Sequence, residues 1–150
     1  MPTVLTIDPN FGWSVLASLA MGVQCFVTGG SVAAARKKYK VPHPDCGAGR
    51  HASKLSDEDW EKFNVIQRCH LNYVEMISLA QSSVLLAGLF FPRVAGALGL
   101  SYLFGRFLYA RGYVGGNPQA RAPGFMIVLL SNVGMIGAAG YGALQLLGYL

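Results

Sequence analysis

Apolar residues fall in four long runs separated by short polar segments. The first, "FGWSVLASLAMGVQCFVTGGSVAAA" (11–35), carries no charge over 25 residues, more than the roughly 20 a helix needs to cross a bilayer. The second, 63–91, opens on polar residues and finishes as "SSVLLAGLFF". "FFPRVAG" makes a tight connection, marked by Pro92 and Arg93, to a third run at 94–113. "YVGGNPQARAPG" forms the next loop, and a fourth, uncharged run occupies about 124–148. The pattern predicts an all-α membrane protein: a four-transmembrane-helix bundle that makes residues 1–150 a single integral membrane domain.

The soluble exception is 36–62. Pro42, Pro44, Gly47 and Gly49 break regular structure there. Within it, "LSDEDWEKF" reads as a helix start, with Ser56 as N-cap and Asp57, Glu58 and Asp59 in the first turn, where the helix dipole favours acids.

Charge orients the bundle. Seven of twelve basic residues lie between Arg36 and Lys62, led by Arg36, Lys37, Lys38 and Lys40. With four spans, loops 36–62 and 111–123 share a side, which also gains Arg111 and Arg121; the opposite side holds Arg93. The positive-inside rule therefore places loop 36–62 in the cytosol and both termini outside it. No positive segment precedes the first run, so a cleavable signal peptide is not expected.

Composition agrees: 53% hydrophobic and 13% charged, with 19 glycines, against about 25% charged in average soluble proteins. The segment rich in basic residues also holds five of the seven acids, so no nucleic-acid partner is expected. Cys25, Cys46 and Cys69 are odd in number and lack CxxC spacing; neither a disulfide framework nor a metal site is expected. Gly134, Ala138 and Gly142 recur at i, i+4, i+8, a face suited to close helix packing.

Some residues do not belong in an apolar helix. In "NVIQRCHLNYVEM", Arg68, Asn72 and Glu75 fall within about 60° of one helical face, while Gln67 and His70 point elsewhere. In "YLFGRFLYARGY", Arg106, Tyr109 and Tyr113 share a face, with Tyr102 one turn before. A charge at a helix centre costs roughly 2.5–3.5 kcal/mol on insertion. Either Arg68 or Arg106 pairs with Glu75 to tie the bundle, or the arginines snorkel to the interface, or the group is a site. With Arg36 and Arg121, three or four guanidiniums and one carboxylate suit a small polyanion that also carries an amine.

"ARKKYKV", "FNVIQRCHLNYVE" and "GRFLYARGYVGGNPQAR", in that order between four apolar runs, resemble the MAPEG superfamily of membrane-associated proteins in eicosanoid and glutathione metabolism, and within it the microsomal glutathione S-transferase 3 subgroup. The resemblance implies a homotrimer in the endoplasmic reticulum membrane that binds glutathione between subunits near the cytosolic face. It implies that Arg68, Asn72 and Glu75 hold glutathione, with further contacts from Arg106, Tyr109 and Tyr113. Arg36 would reach the ligand from a neighbouring chain, and His70 matches a polar position near that interface. Arg121 matches the arginine that activates the thiol. Met76 and Ser78 depart from the pattern, standing where some members carry tyrosine and proline, and the first cytosolic loop is longer than usual.

The implied activity is glutathione transfer to lipophilic substrates drawn from the bilayer, including leukotriene C4 synthase-like conjugation, or glutathione-dependent peroxide reduction, with glutathione as co-substrate and no metal. Two alternatives stand beside it. One is a non-enzymatic lipid-binding scaffold, as in the five-lipoxygenase-activating branch, which lacks the full glutathione set. The other is a small channel or transporter, for which neither discontinuous spans nor duplicated halves are present.

Overall fold

A computed structural model describes residues 6–115 and 117–150. Four helices form it: α1 (Phe11–Tyr39), α2 (Asp57–Phe90), α3 (Pro92–Val114) and α4 (Ala122–Leu146), with short 3-10 turns at Ala52–Lys54 and Pro118–Arg121. Phe11–Tyr39, Asp57–Phe90 and Pro118–Leu146 are long and apolar enough to cross a membrane. α3 is not among them: its 23 residues include Arg93, Arg106, Arg111 and four glycines, which lower its hydropathy.

The helix limits follow local chemistry. Ser56 caps α2, its hydroxyl accepting from Asp59 N at 3.2 Å, with three acids in the first turn. Pro92 cannot donate to the α2 ladder, so α2 stops at Phe90 and Pro92 becomes the first residue of α3. α1 runs four residues past the apolar stretch, to Tyr39, because Ala35, Tyr39, Val41, Ala52 and Phe63 form a small core of their own beyond it.

Consecutive helices alternate in direction. The end of α1, the start of α2, the end of α3 and the start of α4 therefore share one end of the bundle, the Arg36 end. The main core draws on all four: Ala17 and Met21, then Tyr73, Ala80, Val84 and Ala87, then Ala95 and Tyr102, then Val128 and Met135. Small residues let the helices close. Gly99 faces Ala17 and Val84, and Gly124 packs on the backbone of Gly105 and Tyr109. Outward positions on α1 and α4 are largely apolar: Leu16, Leu19, Val23 and Phe26 on α1, and Leu130, Val133 and Ile136 on α4. Such a surface suits lipid better than water.

The first loop is more ordered than its prolines and glycines imply. Asp45 is buried and accepts four backbone N–H bonds, from Ala52 and His51 at 2.8 Å and from Gly47 and Gly49 at 2.9 Å. These donors, Ala52 first, hold its carboxyl well below the usual carboxylate range. Gly47 permits the convergence with φ 104°, and Asn64 of α2 donates to Gly47 O at 3.0 Å.

Candidate functional site

A cavity of about 430 Å³ opens at the Arg36 end, between α2, α3 and the start of α4. Five of the residues singled out above line it: Arg68, Asn72, Tyr109, Tyr113 and Arg121. Arg68 and Asn72 stand one turn apart on α2, and Tyr109 and Tyr113 one turn apart on α3, their rings 5.6 Å apart and edge-on. Arg121 comes from the turn after α3. The Asn117 side chain accepts from Gln119 N at 3.0 Å and Pro118 starts the turn. Gly112 lets that turn settle on α3, since a Cβ there would strike the Ala120 backbone. The Arg121 guanidinium then lies 4.5 Å from the centre of the Tyr113 ring.

The structure places the other four residues differently. Arg106 is 2% exposed and lies behind the cavity. It is sandwiched between the rings of Tyr73 at 4.2 Å and Tyr109 at 4.7 Å, and it donates to Asn72 Oδ1 at 2.8 Å and Cys69 O at 3.4 Å. Glu75 is exposed on the surface of α2 and, among the described residues, forms an ion pair with neither Arg68 nor Arg106. His70 faces α1, its Nδ1 2.9 Å from Thr28 Oγ1. Arg36 closes the first loop by donating to Asp45 O at 2.6 Å and Val41 O at 3.4 Å, and it lines a separate groove with Lys37, Lys40 and His43.

Three further residues complete the cavity wall: Gln119, Ala122 and Phe125. Gln119 and Phe125 flank Arg121 by two and four residues, a proximity in sequence that offered the one signal for them.

The cavity is cationic. Two arginines line it and no acid does. Its volume suits a small molecule, for which pockets of about 300–1,000 Å³ are usual. Guanidiniums bind carboxylates bidentately, and tyrosine hydroxyls add donors. Among the described residues, no group of three or more His, Cys, Asp or Glu is placed to hold a metal ion.

Apolar helices able to cross a bilayer, with an arginine- and tyrosine-lined cavity at one end of the bundle, define an integral membrane protein with a cationic cavity. Residues 14–141 match the MAPEG family, and the chain belongs to that family. The family includes glutathione transferases and activating proteins. The match takes in every residue discussed for the site.

Proposed function

We propose that this protein is a membrane-bound glutathione transferase or glutathione-dependent peroxidase of the microsomal glutathione S-transferase 3 kind. Its substrates are lipophilic electrophiles drawn from the bilayer, such as epoxides or lipid hydroperoxides. The observation that carries this reading is the convergence of Arg68, Asn72, Tyr109, Tyr113 and Arg121 on one acid-free cavity. Glutathione brings two carboxylates and an ionisable thiol, and the cavity offers the cations and donors such groups need.

Arg68 and Asn72 hold the peptide, and Arg121, at the mouth of α4, stabilises the thiolate. Sulfur then attacks an epoxide carbon as the C–O bond breaks, and the alkoxide takes up a proton. With a hydroperoxide, sulfur attacks the terminal oxygen as the O–O bond breaks, giving a sulfenic acid and an alkoxide that takes up a proton; a second glutathione thiol then attacks the sulfenic sulfur, forming the disulfide and releasing water. Arg121 acts by charge alone and neither gains nor loses a proton, because guanidinium does not deprotonate in proteins.

The reading extends to a homotrimer with all four helices crossing the endoplasmic reticulum membrane and the cavity toward the cytosol. Two observations support an assembly. Arg68, Glu75, Ser78 and Ser82 form a polar, exposed stripe on α2, which hydrocarbon would not tolerate uncovered. Glu75 and Arg36 also do not line the cavity of their own chain, and a neighbouring subunit supplies the means to bring such residues to a shared ligand.

The test is glutathione binding to purified protein, followed by ultraviolet absorbance of the thiolate between about pH 6 and 9, bracketing the free thiol pKa near 8.5. The reading requires a glutathione-dependent thiolate signal and turnover of an epoxide or lipid hydroperoxide. Lipid binding without glutathione binding would replace it with the scaffold reading.

A further inference from the structure

We propose that Arg106 is a positioning residue: it holds the Asn72 amide with its oxygen inward, so that Asn72 meets the ligand as a hydrogen-bond donor. This rests on the glutathione reading for the identity of the ligand. It does not rest on it for the arrangement itself.

Arg106 is an unusual occupant of a membrane helix. It is almost fully buried, and among the described residues no carboxylate lies within ion-pair distance. Two tyrosine faces and two oxygens, one amide and one main-chain, satisfy it in part, and its Nε has no partner. A buried cation so incompletely matched is a poor source of stability, and an apolar side chain of similar volume would serve packing as well. What the cation does supply is an orientation.

A guanidinium carries donors only. The atom of Asn72 that faces it at 2.8 Å must therefore be the oxygen, and chemistry removes the usual ambiguity of an amide flip. Nδ2 is then turned from Arg106 and has no hydrogen-bond partner among the described residues, while Asn72 lines the cavity. The cavity thus presents N–H groups from Arg68, Arg121 and Asn72 alike, and its ligand must supply acceptors at all three.

Arg106 is itself held in place. The Tyr73 ring beneath it is fixed by its hydroxyl, which donates to Gln24 Oε1 at 2.8 Å, and Gln24 Nε2 donates to Leu103 O at 3.1 Å. α1, α2 and α3 therefore converge on the orientation of one amide at the cavity wall.

The experiment compares N72D, R106M, R106K and the R106M/N72D double variant of the full chain. It measures thermal stability without ligand, glutathione affinity by calorimetry, and kcat against KM for glutathione. With Arg106 present, N72D should keep or raise Tm, because aspartate pairs with the guanidinium, yet lose about tenfold or more in glutathione affinity, because a carboxylate now meets the ligand's acceptors. In the R106M background the same change should lower Tm, since the carboxylate oxygen turned away from the cavity then faces an apolar side chain where the guanidinium had donated to it. R106M alone should raise KM for glutathione severalfold with kcat nearly unchanged, and R106K, which still donates, should recover part of the loss. R106Q, neutral and less drastic, replaces R106M in the comparison if R106M does not fold.

Wild-type affinity in N72D would overturn the proposal, as would an equal fall in Tm on N72D with and without Arg106. If wild-type protein binds no glutathione while the Tm coupling is present, the glutathione reading fails and the Arg106–Asn72 arrangement stands.

Discussion

Arg121→Ala isolates the charge proposed to activate the thiol. A unit charge about 4 Å from a thiolate is worth roughly 4 kcal/mol at an effective dielectric of 20 and roughly 1 kcal/mol in water. Arg121 is partly exposed and stacked on Tyr113, so about 2 kcal/mol is the reasonable middle. At about 1.36 kcal/mol per unit, that lowers the thiol pKa by about 1.5, from roughly 8.5 to roughly 7. At pH 7 the thiolate fraction rises from about 3% to about half. The substitution should therefore cut the thiolate absorbance of bound glutathione about fifteenfold. Turnover should fall less. The more basic thiolate left in the variant is the better nucleophile, and a Brønsted slope of about 0.4–0.5 returns roughly fivefold. A loss of about threefold at pH 7 is then the share due to activation, and any larger loss measures positioning of glutathione by Arg121. The assay is absorbance titration of the glutathione complex beside steady-state turnover, both across pH. The midpoint of the turnover profile should move from near 7 to near 8.5. An unchanged thiol pKa in Arg121→Ala would refute the reasoning, and the same shift seen instead in Arg68→Ala would move the role to Arg68.

Four other expectations concern neighbouring parts of the molecule. Asp45→Asn replaces an acceptor of four N–H bonds with one oxygen and an amide that faces donors; trypsin should cut after Arg50 and Lys54 faster, and an unchanged rate would show that the loop does not depend on Asp45. Because the folded Asp45 carboxyl is more acidic than an unfolded one, its contribution is complete above about pH 4, the unfolded value, and fades only as pH falls from there toward the folded value; loop proteolysis by an acid-active protease should rise below about pH 4 in wild type, whereas Asp45→Asn should show no such rise. Gly124→Val would press a side chain into the backbone of Gly105 and Tyr109, so α3 and α4 must part; glutathione binding should be lost along with several degrees of Tm, and normal binding would mean the helices can yield there. Glu75→Gln should weaken glutathione binding and leave the oligomer intact by sedimentation; loss of assembly with no specific effect on binding would make Glu75 a tie between subunits instead.

Helical period alone placed Arg68 with Asn72 and Tyr109 with Tyr113, because it depends on nothing beyond each helix's own geometry. It could not say which faces meet. Glu75 shares a face with Arg68, yet seven residues carry it about 10 Å along the axis, beyond a cavity whose last α4 residue is Phe125. Arg106 is on the face of Tyr109 but one turn deeper, so it reaches the back of Asn72 rather than the ligand space. Asp45 lay in a stretch read as broken, and its four bonds depend on a loop path that Gly47 allows and no periodicity encodes. Charged and amide residues betray themselves by being out of place in an apolar helix. Gln119 in a polar turn and Phe125 in an apolar helix are both in place, so neither stands out in the sequence. Only the settling of that turn onto Gly112 and of α4 onto Gly105 brings them to the same wall as Arg121.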